Sequence, residues 1–316
     1  MNIRIGNGDL EEYNNSTPKH SELFYRVVLA VIFIPIVVFT AWNGGIYYLI
    51  LVELGIGLGS YEFFKILEAQ GLKPYTPLGV IAALILGWNA YFASHIFTFL
   101  TLTTLFFVVS ISELYRKNLD RAIYHISSTV FGVFYVGWLM SHLTLLRQIP
   151  ALLHPKDLIY NPSILKFAYF FPYSIFTDYN KGAIYTLLPF VLAWSNDTGA
   201  FFIGKKFGNH KVLKRVSPGK SWEGLAFGGI CGLIGIFLLK YSCAQWLGIK
   251  DCLILGIISA CVAPAGDLVE SLLKRDAQVK DAGTIIPGHG GMLDRFDSVL
   301  FVAPIVYYYI RFFVVS

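Results

Sequence analysis

The sequence predicts an all-α polytopic integral membrane protein, and three observations support this. The chain has 316 residues, of which 55% are hydrophobic and 14% are charged, whereas a soluble domain carries about 25% charged residues. Its mean hydropathy is +0.60. Apolar runs of about 17–25 residues recur along the chain, and each is long enough to cross a bilayer as a helix. These properties exclude an ordinary soluble enzyme.

The apolar runs predict about nine transmembrane helices. A count of eight remains open, because the third and fourth runs can also form one long tilted region. The nine runs are 24–42, 45–61, 78–95, 97–113, 123–146, 184–203, 224–240, 253–271 and 298–315.

The distribution of basic residues orients these spans. If the N-terminus is cytoplasmic, 18 of the 25 Lys and Arg residues fall on the cytoplasmic side. Short cytoplasmic loops of membrane proteins are enriched in Lys and Arg. The sequence therefore predicts a multi-pass protein of the cell inner (plasma) membrane, with a cytoplasmic N-terminus and an outer C-terminus.

Four regions follow from this topology. Residues 1–22 are polar and predict a cytoplasmic tail, and 23–146 hold the N-terminal transmembrane helices. Residues 147–182, rich in aromatic residues and proline, predict an outer loop at the level of the lipid headgroups. Residues 183–316 form a C-terminal transmembrane region, which carries the residues suited to chemistry. The tail lacks the short apolar core of a cleavable signal peptide.

A cluster of ionisable residues follows directly on the eighth apolar run. Asp267, Ser271 and Lys274 are spaced i, i+4 and i+7, which places them on one helix face, with Arg275 close to it. Such residues are costly at a membrane edge unless they are paired, hydrated or bound to a metal. A carboxylate, a hydroxyl and two cations on one face can hold a metal together with phosphate groups.

Two further carboxylates begin the last span. Asp294 and Asp297 are spaced i and i+3, so they also share a helix face. Together with Asp267, they predict a carboxylate cluster contributed by two adjacent helices. Hard oxygen ligands favour Mg²⁺, whose coordination is completed by water and substrate phosphates.

The alternative is that these charges form ordinary ion pairs at the membrane interface. In that interpretation Asp267 pairs with Lys274 or Arg275, and Asp294 pairs with Arg295. Ion pairs explain any one of these residues about as well as a site does. They explain the whole set less well, so we favour a site.

A glycine-rich loop separates the two acidic helices. Proline and glycine in 283–291 interrupt any helix, and glycine backbone can approach phosphate closely with its N–H groups. His289 lies within this loop and can donate a hydrogen bond or a proton.

A second group of polar residues precedes the eighth span. Asp197 lies inside an apolar run, which indicates a polar cavity rather than a face toward lipid. The loop 204–222 is glycine-rich and strongly basic, which suits a polyanion such as a nucleoside triphosphate. The alternative for the loop is the cytoplasmic excess of positive charge, together with attraction to anionic lipid. That alternative explains the charge but not the run from Ser217 to Ser221.

Residues 271–297 resemble the signature of phosphatidate cytidylyltransferases, also called CDP-diacylglycerol synthases. The run from Asp197 to Gly224 is also similar to this family, so the resemblance covers about 194–297. Two positions depart from it: Lys205 replaces a frequent Arg, and Gly219 replaces a frequent Lys. The matching signature positions are Ser271, Lys274, Arg275, Lys280, Asp281, Pro287, His289, Gly290, Gly291, Asp294, Arg295 and Asp297.

The resemblance implies the reaction of CTP with phosphatidate to give CDP-diacylglycerol and pyrophosphate, with Mg²⁺ and room for a second cation. The partners are then the two substrates and the lipid bilayer, with no nucleic acid, and a homodimer remains open. The implied catalytic residues are Asp267, Lys274, Arg275, Lys280, Asp281, His289 and Asp294. The implied substrate-binding residues are Asp197, Ser217, Lys220, Ser221, Ser271 and Arg295. The implied metal ligands are Asp267, Asp294 and Asp297.

Two other functions are compatible with the same residues. A CTP-dependent lipid kinase of the polyprenol type would use a similar membrane scaffold but would release CDP instead of pyrophosphate. An ion-coupled transporter would use the intramembrane charges as an ion site. That class often shows two related halves, and the sequence contains no internal repeat.

Overall fold

The structure is a computed structural model that describes most of the chain. The residues described are 19–117, 120–153, 179–283 and 290–315, without the side chains of 19–30, 151–153 and 179–180. Most of the predicted tail and most of the predicted outer loop lie outside these ranges. The last helix before the loop ends at Leu153, and the next helix begins at Tyr179.

The described residues form nine helical rods, and each overlaps one of the nine predicted spans. The first four are α1 (Lys19–Asn43), α2 (Gly45–Ala69), α3 (Thr76–Tyr91) and α4 (His95–Leu114). The fifth is continuous and comprises α5 (Ala122–Gly132), a π-helical segment (Val133–Trp138) and α6 (Leu139–Leu153). The last four are α7 (Tyr179–Phe207), α8 (Trp222–Ser242), α9 (Ile249–Asp276) and α10 (Leu293–Tyr309), the last extended by a π-helical segment (Ile310–Val314).

Length and composition identify five helices within the described residues that could cross a membrane. These are His95–Leu114, Ala122–Pro150, Trp222–Ser242, Ile249–Asp276 and Leu293–Val314, and two shorter apolar helices are Val31–Asn43 and Thr76–Tyr91. Helices α3 and α4 are separate in the structure, as the count of nine requires. The all-α membrane fold is therefore confirmed, while the number of helices that cross the bilayer stays a prediction.

A small β-hairpin interrupts the helical fold between α7 and α8. Strand β1 (Lys211–Leu213) pairs antiparallel with β2 (Ser217–Ser221), with Lys211 opposite Ser221. The sequence analysis interpreted this segment as a loop, because β2 contains proline and glycine, which are depleted in strands. Strand β2 contacts α9, and the hairpin brings Lys220 of the second polar group to Asp267 of that helix.

Three helices of the C-terminal half, α7, α8 and α9, contact strand β2 of the hairpin. Helix α7 packs along α8, α9 packs against α8 and α10, and α10 also contacts α6, α7 and α2. Helices α9 and α10 are antiparallel neighbours. The Tyr309 hydroxyl donates to Asp251 Oδ1 at 2.8 Å and joins them at the end remote from the hairpin.

Glycines on α8 allow its close approach to α7. A Cβ added at Gly228 would lie 2.7 Å from the Asn196 carbonyl oxygen, and one added at Gly232 would lie 2.5 Å from Asn196 Nδ2. Small residues permit such approach between helices in membranes. The Asn196 side chain is buried and donates to the Leu192 carbonyl at 3.0 Å. This contact fixes the turn of α7 that carries Asp197.

A methyl group added at the contact between α7 and α8 is expected to destabilise the protein. In Gly228→Ala the new Cβ meets backbone atoms of α7, and overpacking of this kind costs about 1–3 kcal/mol. The matched control is Gly219→Ala, because a Cβ there meets nothing within 4 Å. Thermal unfolding in detergent should show a lower midpoint for the α8 variant only. Equal midpoints for both variants would contradict the close packing.

Candidate active site

Helix α9 presents the predicted polar face. The Ser271 hydroxyl donates to Asp267 Oδ1 at 3.3 Å, as their i, i+4 spacing predicts. The other carboxylate oxygen of Asp267 pairs with Lys220 Nζ of strand β2 at 2.6 Å. Both side chains are largely shielded, at 18% exposure for Lys220 and 30% for Asp267. The hairpin is therefore attached to α9 through an ion pair.

Lys274 joins α9 to α10. Its ammonium lies 3.0 Å from Glu270 Oε1 one turn back on α9, and 2.5 Å from Asp294 Oδ1 on α10. The three side chains are nearly buried, with Glu270 at 1% exposure and the other two at 13%. One cation thus neutralises two carboxylates from adjacent helices. The ion pairs differ from the interfacial pairs considered above, because Asp267 pairs with the hairpin and Asp294 with Lys274.

Asp294 also holds the backbone at both ends of the glycine-rich loop. Its Oδ2 accepts from the Ala282 N–H at 3.0 Å and from the Gly291 N–H at 2.7 Å. Gly290 has a φ of 78°, and a Cβ there would lie 2.6 Å from Asp294 Oδ2. Only glycine combines this backbone conformation with this closeness to a carboxylate.

Two further carboxylates, Asp197 of α7 and Asp297 of α10, both accept hydrogen bonds from Ser298. The Ser298 hydroxyl donates to Asp197 Oδ1 at 3.2 Å, and the Ser298 N–H donates to Asp297 Oδ1 at 2.6 Å. Asp297 is repelled by Asp267 and by Asp197, and it is attracted by Lys274. Asp197, Asp267 and Asp297 are therefore close enough to interact. The predicted cluster is a different set, because its third member, Asp294, contacts Lys274 and the loop backbone instead. Their roles in binding stay predictions.

The predicted residues of the hairpin occupy different positions. Lys220 points to α9, as described. Ser221 is buried and accepts from the Gly224 N–H at 3.3 Å as the N-cap of α8, which stabilises the helix start. Ser217 is half-buried in β2, opposite Leu213.

The remaining predicted residues lie around this centre. Arg275, Lys280 and Asp281 are exposed at and beyond the end of α9, and Arg295 is half-buried on α10. His289 lies outside the described residues. The catalytic roles of Arg275, Lys280, Asp281 and His289 and the substrate-binding role of Arg295 stay predictions.

Two buried carboxylates at the site were not assigned a role from the sequence. Glu270 lies i+3 from Asp267 and i−4 from Lys274, so helical spacing could have identified it. Glu62 of α2 is 2% exposed, and its Oε2 accepts from the Leu293 N–H at 2.8 Å at the start of α10. Only its unusual position, a carboxylate in an apolar helix, marked it in the sequence.

The donor chemistry of the site fits Mg²⁺. Among the residues that the structure describes, no three Asp, Glu, His or Cys side chains form a group that could hold a metal ion. Proteins, however, usually bind Mg²⁺ through one or two carboxylates, with water and substrate phosphates completing the shell. Asp267 and Asp297, whose charges repel each other, provide oxygen donors of this kind.

Comparisons with known proteins identify the family of this chain. The model of the cytidylyltransferase family matches residues 24–313. A phosphatidate cytidylyltransferase of Synechocystis sp. is 34% identical over 296 residues, covering 90% of this chain and 95% of that relative. Phosphatidate cytidylyltransferase 4, chloroplastic, of Arabidopsis thaliana is 32% identical over 317 residues, covering 96% of this chain and 77% of the relative. A phosphatidate cytidylyltransferase of Bacillus subtilis is 40% identical over 132 residues, covering 42% of this chain and 49% of the relative. The chain therefore belongs to the cytidylyltransferase family.

Proposed function

We propose that this protein is a membrane-bound nucleotidyltransferase that transfers the cytidylyl group of CTP to phosphatidate. The products are CDP-diacylglycerol, a precursor of phospholipids, and pyrophosphate. The family and the names of its relatives support this activity. The observation that carries the proposal is the pair of shielded contacts Lys220–Asp267 and Lys274–Asp294.

These contacts bring two cations and two carboxylates from three elements to one place. The hairpin contributes Lys220, α9 contributes Asp267 and Lys274, and α10 contributes Asp294. A triphosphate needs cations, and a nucleotidyl transfer depends on positioning and charge neutralisation more than on covalent catalysis. The four side chains supply such an environment beside helices that are apolar enough to lie in a membrane.

The reaction is a substitution at phosphorus. A phosphate oxygen of phosphatidate forms a bond to the α-phosphorus of CTP, and the bond from that phosphorus to the bridging oxygen of the β-phosphate breaks. Pyrophosphate leaves with the electron pair of that bond. Lys220 and Lys274 lie where they can exchange carboxylate partners for phosphate oxygens and so neutralise the nucleotide and the leaving group.

Asp267, Asp294 and Asp297 are the proposed ligands of Mg²⁺, with room for a second cation. When bound, Mg²⁺ would polarise phosphoryl oxygens and stabilise negative charge on them.

Removal of divalent cations with EDTA is therefore expected to abolish turnover, and added Mg²⁺ should restore it. Product formation measured in excess EDTA checks this. Turnover that persists at its initial rate would remove the metal from the proposal.

We place the site at the cytoplasmic face of the cell inner membrane. The support is the charge distribution, because the basic hairpin and the basic end of α9 lie together and cytoplasmic segments are enriched in Lys and Arg. Cysteine substitutions at exposed hairpin positions, labelled in sealed vesicles, would show on which side of the membrane the hairpin lies.

A homodimer stays a prediction. Light scattering of the detergent-solubilised protein can measure its oligomeric state.

The decisive experiment supplies purified protein with labelled CTP, phosphatidate and Mg²⁺. We expect labelled CDP-diacylglycerol together with equimolar pyrophosphate. Release of CDP with a phosphorylated lipid would indicate the kinase. Ion transport in reconstituted vesicles without consumption of CTP would indicate the transporter. Either result would overturn the proposed function.

A further inference from the structure

Glu62 is a buried carboxylate far from the charged cluster in sequence. It lies on α2, in the N-terminal half, and is 2% exposed. Its contact with the Leu293 N–H joins residues separated by 231 positions. An ionisable residue buried at membrane depth usually serves function. The described contacts show which part of the site Glu62 touches.

The carboxylate of Glu62 lies against both ends of the glycine-rich loop. A Cβ added at Gly283 would lie 2.6 Å from Glu62 Oε1, and a Cβ added at Gly291 would collide with Glu62 Oε2. Neither glycine has a positive φ, so it is the proximity of Glu62, and not backbone strain, that excludes a side chain there. Both ends of the loop and the first turn of α10 therefore contact the single carboxylate of Glu62.

Asp294 approaches the same backbone with a second carboxylate. It accepts from the N–H groups of Ala282 and Gly291, each next to or at a glycine that contacts Glu62. Two carboxylates, one from α2 and one from α10, thus fix the same backbone. Asp294 in turn pairs with Lys274. The position of Asp294 relative to Lys274 depends on where this backbone lies.

We infer that Glu62 is a positioning residue for the transfer reaction, holding residues 282–283 and 290–293 so that Asp294 stays aligned with Lys274. This inference rests on the proposed function, because it assigns a role within that reaction. Misplacement of a reacting group by about 1 Å can reduce the rate about 10²-fold. Loss of the carboxylate should therefore lower kcat with little change in the KM for CTP.

The first test compares two variants of Glu62. In Glu62→Gln the amide oxygen can still accept from Leu293, so kcat should stay within about threefold of the wild-type value, the size of one modest hydrogen-bond change. In Glu62→Ala the acceptor and its bulk are lost, and kcat per folded molecule should fall about 10–100-fold. Folded protein is quantified by size-exclusion chromatography in detergent.

A matched control separates positioning from stability. Phe63 is the next residue on α2, is fully buried, and stacks on Tyr135. Phe63→Leu should lower the thermal midpoint but leave kcat per folded molecule unchanged. If Glu62→Ala behaves in the same way as this control, Glu62 is merely structural and the inference is wrong.

A double-mutant cycle provides a second test, measured as kcat per folded molecule of each variant. Gly283→Ala should reduce kcat when Glu62 is present, because the new Cβ meets its carboxylate. In the Glu62→Ala background the methyl group has space, so its additional effect should be at least about threefold smaller. Independent effects of the two substitutions would contradict the inference. If the wild-type protein itself makes no CDP-lipid, the proposed function fails instead.

Discussion

Replacement of Lys274 with methionine is expected to abolish cytidylyl transfer and to destabilise the protein. The substitution keeps an unbranched side chain that is one atom shorter, and it removes the charge. Glu270 and Asp294 would lose their shared cation in a nearly buried environment. Removal of one partner from a buried ion pair costs about 3–5 kcal/mol. Loss of a cation that stabilises a transferring phosphoryl group lowers kcat by about 10³-fold.

The two effects of this substitution can be separated. The double variant Glu270→Gln/Lys274→Met removes one of the stranded carboxylates, so its thermal midpoint should recover in part while turnover stays absent. Lys65→Met is the matched control, because Lys65 pairs with Glu68 at 2.7 Å but is 50% exposed. Exposed pairs contribute little to stability, and this control should retain full activity. Activity of Lys274→Met within tenfold of the wild type would exclude Lys274 from catalysis.

Asp294→Asn is expected to reduce kcat by about 10²–10³-fold, the usual effect of removing one electrostatic group from an active site. The carboxylate accepts from Lys274 on one oxygen and from two backbone N–H groups on the other. The asparagine side chain has only one acceptor oxygen. Its NH₂ group would face either the Lys274 ammonium or the two backbone N–H groups, which are also donors. A buried donor left without an acceptor costs about 1–3 kcal/mol, so the thermal midpoint should also fall.

The control for this substitution is Asp276→Asn at the exposed end of α9. Its Oδ2 accepts from Nε2 of Gln70, the residue that follows the end of α2. Initial rates of CDP-lipid formation and unfolding midpoints in detergent should be close to wild type for this variant. Normal rates for Asp294→Asn would remove Asp294 from both the metal-binding and the catalytic sets.

Hydropathy was sufficient to predict the helical fold, because each rod needs about 17–25 apolar residues to span a bilayer. The hairpin was not predicted, since strands of three and five residues with proline and glycine carry no alternating pattern. The π-helical segment of 133–138 was not predicted either. Its i→i+5 hydrogen bonds have no compositional signal of their own.

Helical spacing predicted the local part of the site. It placed Asp267, Ser271 and Lys274 on one face, and the structure shows contacts on that face. The pairing of Asp267 with Lys220 and the contact of Glu62 with α10 join distant segments. A single sequence contains no local pattern for such contacts, because they depend on how the helices pack. The position of Glu270 on the same helix face could be deduced from its spacing to Asp267 and Lys274. Its burial could not be deduced from the sequence.

The antiparallel pair of α9 and α10 is held together at both ends. Tyr309 bonds to Asp251 at one end, and Lys274 pairs with Asp294 at the other. The 23 residues from Asp251 to Lys274 correspond to about 35 Å of helix, so separating the two rods would break polar contacts at both ends. A phosphatidate molecule that arrives by lateral diffusion in the bilayer is therefore expected to enter between other helices of the bundle. Helices α9 and α10 should stay packed together during its entry.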